Sequence, residues 1–288
     1  AYNKARGIIK KHVGASENDI LISSNSGMTG VINKFQRILG LKIHESFQDF
    51  VFPKETEKPI IFVTHMEHHS NQTSWAETIA DVIVVPPDET GLVSIENFRK
   101  TILKYADRKT KIAAITSCSN VTGIMTPYME IAELIHQHKG LCFVDFAFSA
   151  PYVSINMHQD DSNGRFLDAI YFSPHKFLGG PGSTGILIFN KKIYSNRIPD
   201  NPGGGTVSWT NPWGGHKYID DIETREDGGT PAFLQTIKAA MCMQLKDEMG
   251  VQNIQEREKE ILDIIWNSLS PIPNLHILAE EHKNRLGV

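Results

Sequence analysis

Lys176 stands between two apolar runs and beside a dense group of glycines, in residues 168–189. The runs 169–172 and 186–189 predict strands, so Lys176 is expected on the short loop that joins them. Glycines beside such a loop let the backbone approach a ligand closely, and a lysine amine at a strand end is a candidate nucleophile. An ordinary surface lysine is the alternative interpretation, and this stretch alone does not decide between the two.

A carboxylate ends another apolar run. Asp145 follows residues 141–144, whose sequence LCFV predicts a buried central strand. A carboxylate among apolar neighbours needs a partner, because an unpaired buried charge is costly. Asp145 is therefore either a cap or paired core aspartate, or the counter-charge of a bound cation.

Residues 24–30, SNSGMTG, follow a predicted strand and open a predicted helix. Free backbone N–H groups, the positive end of the helix dipole and several hydroxyls together suit a phosphate group. A plain helix cap by Ser26 is the alternative. The stretch is not a Walker loop, because no Gly-Lys-Ser/Thr follows it.

Histidine rings are expected at the same end of the sheet, in residues 65–69, HMEHH. A metal site made by His65, His68 and His69 is an alternative use of these rings, but their spacing matches no common zinc motif. No metal ligand is therefore assigned. A lysine, an opposed carboxylate, a ring and a phosphate cradle are the parts of a pyridoxal phosphate (PLP) site.

Strand and helix patterns alternate along the chain, which predicts an α/β fold: a mostly parallel sheet with helices on both faces. In such a sheet ligands bind at the carboxyl ends of the strands, where the candidate residues lie. Predicted strands cover residues 19–23, 60–64, 81–85, 111–116, 141–145, 169–172, 186–189 and 275–278. Predicted helices cover residues 28–39, 71–79, 94–105, 127–138, 232–248 and 251–269, with a first helix before Gly14 and loops over 199–215.

The composition is that of a globular protein, with 40% hydrophobic and 22% charged residues among 288. A net charge of -4 and the absence of a long basic or apolar run argue against nucleic acid and membrane partners. The three cysteines, Cys118, Cys142 and Cys242, lie far apart in the sequence, and two fall in or beside apolar strand patterns. A disulfide framework is not expected, and the chain is predicted to be cytoplasmic.

Six segments, in order, resemble the class V aminotransferases, the branch of PLP enzymes that contains cysteine desulfurases, selenocysteine lyases and isopenicillin N epimerase. They are SGMTGVIN (26–33), MEHHSNQTSW (66–75), SNVTG (119–123), VDFAFSAP (144–151), SPHKFLGG (173–180) and GGTP (228–231). The resemblance implies the fold-type I large domain with a mostly parallel seven-stranded sheet, and an enzyme that acts on an amino acid.

The resemblance also implies roles for single residues. Lys176 would form the Schiff base, Asp145 would pair with the pyridine nitrogen, and His68 would stack on the cofactor ring. Asn120 would lie near the substrate carboxylate, and in a homodimer Thr230 would reach the phosphate site of the neighbouring subunit. The residues implied for the phosphate are Gly27, Met28, Thr29, Ser173 and His175.

The chain departs from the family in two respects. Phe148 replaces the glutamine that desulfurases carry three residues after the aspartate, and an apolar ring cannot hydrogen-bond the cofactor's phenolic oxygen. No counterpart is found for the family's N-terminal segment or for most of its C-terminal small domain. Residues 1–250 are therefore expected to form the PLP-binding large domain, and residues 251–288 a linker helix and the beginning of a small domain.

Three functions remain open at this point. The first is a PLP enzyme, either a desulfurase-like lyase or an aminotransferase. The second is a cofactor-binding but catalytically silent homologue with a structural or regulatory role. The third is an unrelated doubly wound nucleotide binder with residues 179–185 as its phosphate loop, although the GxGxxG spacing after the first strand is missing.

Overall fold

Strands and helices alternate through most of the chain in the computed structural model, which describes residues 1–50 and 54–288. The strands are β1 (Asp19–Ser24), β2 (Ile60–Val63), β3 (Asp81–Val84), β4 (Lys111–Thr116), β5 (Leu141–Asp145), β6 (His158–Asp160), β7 (Arg165–Phe166), β8 (Ala169–Phe172), β9 (Gly185–Asn190), β10 (Val207–Thr210) and β11 (His216–Tyr218). The helices are α1 (Tyr2–His12), α2 (Gly27–Ile38), α3 (His69–Ala76), α4 (Ile95–Lys104), α5 (Tyr128–Gln137), α6 (Ile222–Arg225), α7 (Phe233–Met249) and α8 (Val251–Leu269).

Seven strands form one sheet in the order β1-β9-β8-β5-β4-β2-β3. From β8 to β3 all neighbours are parallel, whereas β9 runs antiparallel to both β8 and β1. This arrangement confirms the predicted α/β fold with a mostly parallel seven-stranded sheet. Because parallel strands end at the same edge, the loops after β2, β4, β5 and β8 are brought together there.

The central strands are buried on both faces, and the sequence alternates between two separate cores. In β5, Cys142 and Val144 pack into one core while Phe143 packs into the other. The first core is covered by α1, α4, α5 and α7, and the second by α2 and α3, through side chains such as Phe35 and Trp75. Apolar burial on both sides explains why these strands read as continuous hydrophobic runs.

The predicted strand at residues 275–278 is wrong: the structure has turns and irregular backbone there. Leu275 and Leu278 are exposed, and a strand needs a neighbour to satisfy its backbone hydrogen bonds, which this segment lacks in the part of the chain described. The stretch 199–215, predicted as loop, contains strand β10, which pairs with β11 just beyond that stretch.

The end of α7 falls at the domain boundary that the sequence predicts. Gly250 has a φ of 79°, which favours glycine, and it separates α7 from α8. Within α8 only Trp266 is buried, so this helix contributes little to the two cores. The division into residues 1–250 and 251–288 stays a prediction. Within residues 1–50 and 54–288 no helix combines the length and the apolar character that a bilayer crossing requires.

Candidate active site

A cavity of about 260 Å³ opens at the carboxyl edge of the sheet. Its walls come from the loops that follow β1, β2, β4, β5 and β8, so five separate segments meet there. The lining residues are Ser26, Met28, Thr29, His68, Ser70, Thr116, Cys118, Asn120, Asp145, Ala147, Phe148, Ser173, His175 and Lys176. Eight of the ten residues singled out in the sequence are therefore brought together; Gly27 adjoins the wall and Thr230 lies outside it.

Lys176 ends a single 3-10 turn, Pro174–Lys176, in the hairpin between β8 and β9. Its backbone N–H donates to the carbonyl oxygen of Ser173 at 3.1 Å, which fixes the turn at the strand end. The side chain is exposed at the cavity wall, so burial is not the source of any special reactivity. The predicted position of Lys176 on a short loop between two strands is confirmed.

Asp145 is the last residue of β5 and only 2% exposed. One carboxylate oxygen, Oδ1, accepts a hydrogen bond from the N–H of Ala147 at 2.7 Å. Burial, reinforced by the negative charge of Glu67, raises the pKa of Asp145 to about 7, against the opposing effects of the Ala147 N–H and of Lys176. A buried carboxylate of this kind is stabilised in its charged form by a cation in the cavity.

The start of α2 packs against the Lys176 turn. The N–H of Met28 donates to Oγ of Ser173 at 2.8 Å, and an accepting hydroxyl keeps its own O–H as a donor. A Cβ on Gly27 would lie 3.0 Å from the His175 ring and 3.1 Å from Oγ of Ser173, so only glycine fits between them without displacement. Ser26 adopts a left-handed conformation and its side chain does not cap the helix, which excludes the plain helix-cap interpretation.

His68 caps α3 and faces the same cavity. Its Nδ1 accepts a hydrogen bond from the N–H of Ser70 at 3.1 Å. Partial burial and then the positive charge of Lys176 lower the pKa of His68, and the same two causes lower that of His175. Both rings are therefore neutral near pH 7, and each has one N–H donor and one acceptor nitrogen instead of a positive charge.

The cavity lining also includes Asn120, from the loop after β4, and Phe148, whose ring packs against Tyr152 with centroids 6.1 Å apart. Cys118 also lines the cavity, but burial raises the pKa of its thiol to about 12. Thr230 lies on an exposed segment away from this cavity. Its implied role in the site of a second subunit stays a prediction.

The sequence prediction missed a group of polar residues behind the cavity. Glu67, Asn71 and Tyr171 are joined by hydrogen bonds of 2.7 and 2.8 Å through the amide of Asn71. Glu67 and Asn71 stand in the same MEHHSN segment as His68, but the histidine pattern of that segment gives no signal for them. Tyr171 was hidden inside an apolar strand pattern.

The three histidines of residues 65–69 have different neighbours. Nε2 of His65 lies 2.9 Å from the carbonyl oxygen of Gly91, whereas the rings of His68 and His69 lie with centroids 5.6 Å apart. Over residues 1–47, 50 and 54–288, whose side chains the structure describes, no group of three or more His, Cys, Asp and Glu is arranged to hold a metal ion. Residues 179–185 lie outside the cavity lining, so the glycine-rich turn forms no phosphate loop there.

Comparison with known proteins supplies a family match. The family model described as aminotransferase class-V matches residues 2–288. A probable cysteine desulfurase of Halalkalibacterium halodurans is 28% identical over 286 residues, covering 98% of this chain and 64% of the relative. A probable cysteine desulfurase of Staphylococcus epidermidis is 28% identical over 291 residues, covering 100% of this chain and 65% of the relative. The chain thus spans a little under two thirds of the length of these relatives.

Solved structures share the fold. The cysteine desulfurase CsdA of Escherichia coli superposes with a TM-score of 0.75 at 19% identity, over 94% of this chain and 63% of that one. A NifS-like protein of Rickettsia africae gives 0.72 at 20% identity, over 99% and 67%. A C-DES variant with glycine covalently linked to its PLP cofactor gives 0.69 at 16% identity, over 96% and 68%. At these identities the likeness establishes the fold alone.

The raised pKa of Asp145 predicts a pH-dependent stability of the cofactor-free protein. The folded-state pKa of Asp145, about 7, lies above the ordinary value of 3.8, so the folded protein binds this proton more tightly than the unfolded chain does. The resulting contribution to the free energy of unfolding is fully present below about pH 4 and is lost as pH rises through about 7. Asp145→Asn keeps an acceptor for the Ala147 N–H and abolishes this titration. We expect it to be more stable than the parent at pH 8 by roughly 2–4 kcal/mol, measured by urea unfolding.

The matched control is Asp107→Asn, which removes an exposed carboxylate. It is expected to follow the parent protein at every pH between 4 and 8. An Asp145→Asn protein whose unfolding free energy falls with pH as steeply as that of the parent would contradict the assignment.

Proposed function

Since the chain belongs to the aminotransferase class V family, we propose that it is a PLP-dependent enzyme that acts on an amino acid through Lys176. The observation that carries the proposal is the pairing of Lys176 with Asp145 across one cavity. The amine comes from the β8–β9 hairpin and the carboxylate from the end of β5, two elements that meet at this edge of the sheet.

The residues of the cavity suit this cofactor on two grounds. The buried carboxylate of Asp145 requires a cation, and a protonated pyridine nitrogen is one. The close approach of Gly27, Ser173 and His175 leaves backbone N–H groups, a hydroxyl and a ring nitrogen around one helix N-terminus, which suits a phosphate. Thr29 and Met28 line the same end.

Each residue then has a role in the proposed reaction. PLP, when bound, supplies an electron sink that draws electrons from the bonds at the α-carbon of an amino acid. Lys176 would hold the cofactor and move protons at the α-carbon of the substrate. Asp145 would keep the pyridine nitrogen protonated, His68 would stack on the cofactor ring, and Asn120 would orient the substrate carboxylate.

The reaction type is proposed within two alternatives, a desulfurase-like lyase or an aminotransferase. The relatives named probable cysteine desulfurases favour the first. Desulfuration needs an accessible thiolate to take the sulfur. Burial raises the pKa of all three thiols, that of Cys118 to about 12, that of Cys142 well above its ordinary value, and also that of Cys242. None of the three is suited to that step.

A cofactor-binding but catalytically silent protein is the second candidate. Phe148 favours it, because this ring stands in the cavity wall three residues after Asp145 and cannot donate a hydrogen bond to the cofactor's oxygen. Turnover of an amino acid by the protein distinguishes the two candidates, since both bind the cofactor.

We further propose a homodimer in which the exposed Thr230 of one subunit reaches the phosphate site of the other. Asp220 and Asp221 in the segment before it are exposed, as residues of a surface that meets a second subunit would be in the isolated chain. If the cofactor binds only between two subunits, its affinity and dimerisation are linked by mass action.

The first prediction concerns Lys176. Reduction of the PLP-loaded protein with borohydride followed by peptide mapping should place the pyridoxyl group on Lys176, because among the residues that the structure describes it is the one lysine in the cavity lining, which also contains Asp145. Lys176→Ala should lose the label, while Lys238→Ala, which changes an exposed lysine near the same glycine-rich turn, should retain it. A label on another lysine would show that the assignment is wrong.

The second prediction concerns the shared site. Thr230→Ala should weaken PLP binding by roughly tenfold, the value of about one hydrogen bond to a charged group, as measured by cofactor absorbance in equilibrium dialysis. Thr90→Ala, a change of another exposed threonine, should leave binding unchanged. A monomer in sedimentation that binds PLP with full affinity would contradict the shared site.

The third prediction concerns the cysteines. Residues 1–288 loaded with PLP should release no sulfide from cysteine above the rate of free PLP, because the three thiols are protonated and inert. The measurement is a sulfide assay beside a free-cofactor control. Clear enzymatic release that disappears in Cys118→Ser, Cys142→Ser or Cys242→Ser would overturn this interpretation.

A further inference from the structure

The carboxylate of Glu67 accepts hydrogen bonds from both ends of the loop that carries His68. Its Oε1 accepts from the N–H of Thr64 at 3.2 Å and from Oγ1 of Thr64 at 2.6 Å. Its Oε2 accepts from Nδ2 of Asn71 at 2.7 Å. Thr64 directly follows β2 and Asn71 lies in the first turn of α3, so one side chain joins both ends of the loop 64–71.

Asn71 connects this loop to the rest of the sheet. Its Nδ2 also donates to the carbonyl oxygen of Ala114 in β4 at 3.1 Å. Its Oδ1 accepts from Nε1 of Trp75 at 3.0 Å and from the hydroxyl of Tyr171 at 2.8 Å. The side-chain amide of Asn71 thereby makes all four of the hydrogen bonds open to it, which fixes its orientation. In this orientation its NH₂ group, and not its oxygen, faces Glu67.

Every partner of Glu67 in this network is a donor. A carboxylate accepts on both oxygens, whereas a glutamine would turn an NH₂ group toward a donor on one side. Burial raises the pKa of Glu67, and its bonds from Thr64 and Asn71 oppose that rise. These donors favour the ionised form, which places a negative charge beside the strand ends that border the cavity.

That charge acts on Asp145. The groups that interact electrostatically with the Asp145 carboxylate are Glu67 from the β2 loop, Lys176 from the β8–β9 turn, and Tyr171, its register partner on β8. Glu67 opposes the ionisation of Asp145 and Lys176 favours it. A cation bound against Asp145 would therefore meet two carboxylates in its surroundings rather than one.

We propose that Glu67 is a positioning residue of this site, which clamps the loop that carries His68 and holds a second negative charge behind Asp145. The proposal rests on the function proposed above, because the cation that these charges favour is the protonated ring of the cofactor. Glu67 itself touches neither cofactor nor substrate and acts through Asp145 and His68.

The charge is tested without cofactor. Carboxyl carbons of aspartate are labelled with ¹³C, and the resonance of Asp145 is assigned by its loss in Asp145→Asn. In the parent chain it should titrate near the pKa of about 7. In Glu67→Gln its midpoint should fall by roughly one pH unit, because a like charge has been removed. Glu77→Gln, which removes an exposed carboxylate just beyond the other end of α3, should leave the midpoint unchanged.

The clamp is tested by amide hydrogen exchange on the same proteins. The Thr64 N–H, bonded to Glu67, and the Ser70 N–H, bonded to His68, should exchange on the order of tenfold faster in Glu67→Gln. The Glu77→Gln protein should exchange as the parent does. A folded Glu67→Gln protein with parental Asp145 titration and parental exchange would overturn the proposal.

Two further measurements cover a Glu67→Gln protein that does not fold and the binding of the cofactor itself. If Glu67→Gln does not fold, Glu67→Asp is measured instead: it keeps the negative charge but shortens the side chain, so the Asp145 midpoint should stay near about 7 while the Thr64 and Ser70 amides exchange faster, and parental exchange counts against the proposal. Absorbance of bound PLP is recorded separately. Absence of PLP binding with an intact Asp145 shift rejects the proposed function alone, while PLP binding without that shift rejects the role of Glu67 alone.

Discussion

The central constraint of this structure is the burial of the Asp145 carboxylate at the end of a strand that is apolar on both faces. Ionisation at such a place is unfavourable unless positive charge lies in front of it. Lys176, from the hairpin between β8 and β9, favours the ionised form of Asp145, while Glu67, from the loop after β2, opposes it. Positive charge in the cavity therefore stabilises the ionised form of Asp145.

One reversal of strand direction allows the lysine to face the aspartate. Because β9 returns antiparallel to β8, the hairpin between them turns at the carboxyl edge of the sheet, where β5 also ends. The hairpin must then pass very close to the start of α2. A Cβ on Gly185 would overlap the carbonyl oxygen of Gly27, so glycine is required for this contact.

Those features that depend on neighbours in the sequence could be predicted from it. The alternation of apolar runs with helical patterns predicted the sheet, and the ends of the runs predicted that Asp145 and Lys176 lie at the ends of strands. The Glu67–Asn71–Tyr171 network could not be found in the same way, because its members come from a loop, a helix and a strand 100 residues further along. The apolar pattern at residues 275–278 misled for the opposite reason: a local pattern predicts a strand, but only a paired neighbour makes one.

The pairing of β1 with β9 has a consequence for the order in which the molecule assembles. Ser24 pairs with Gly185, and Gly27 reaches Ser173 and His175, so the first strand and the first helix of the sheet complete the site only with a much later segment. On a ribosome that adds about 5–20 residues per second, this interval corresponds to roughly ten to thirty seconds. During that time the apolar faces of β1 and α2 lack their partners, which makes them natural targets for chaperones.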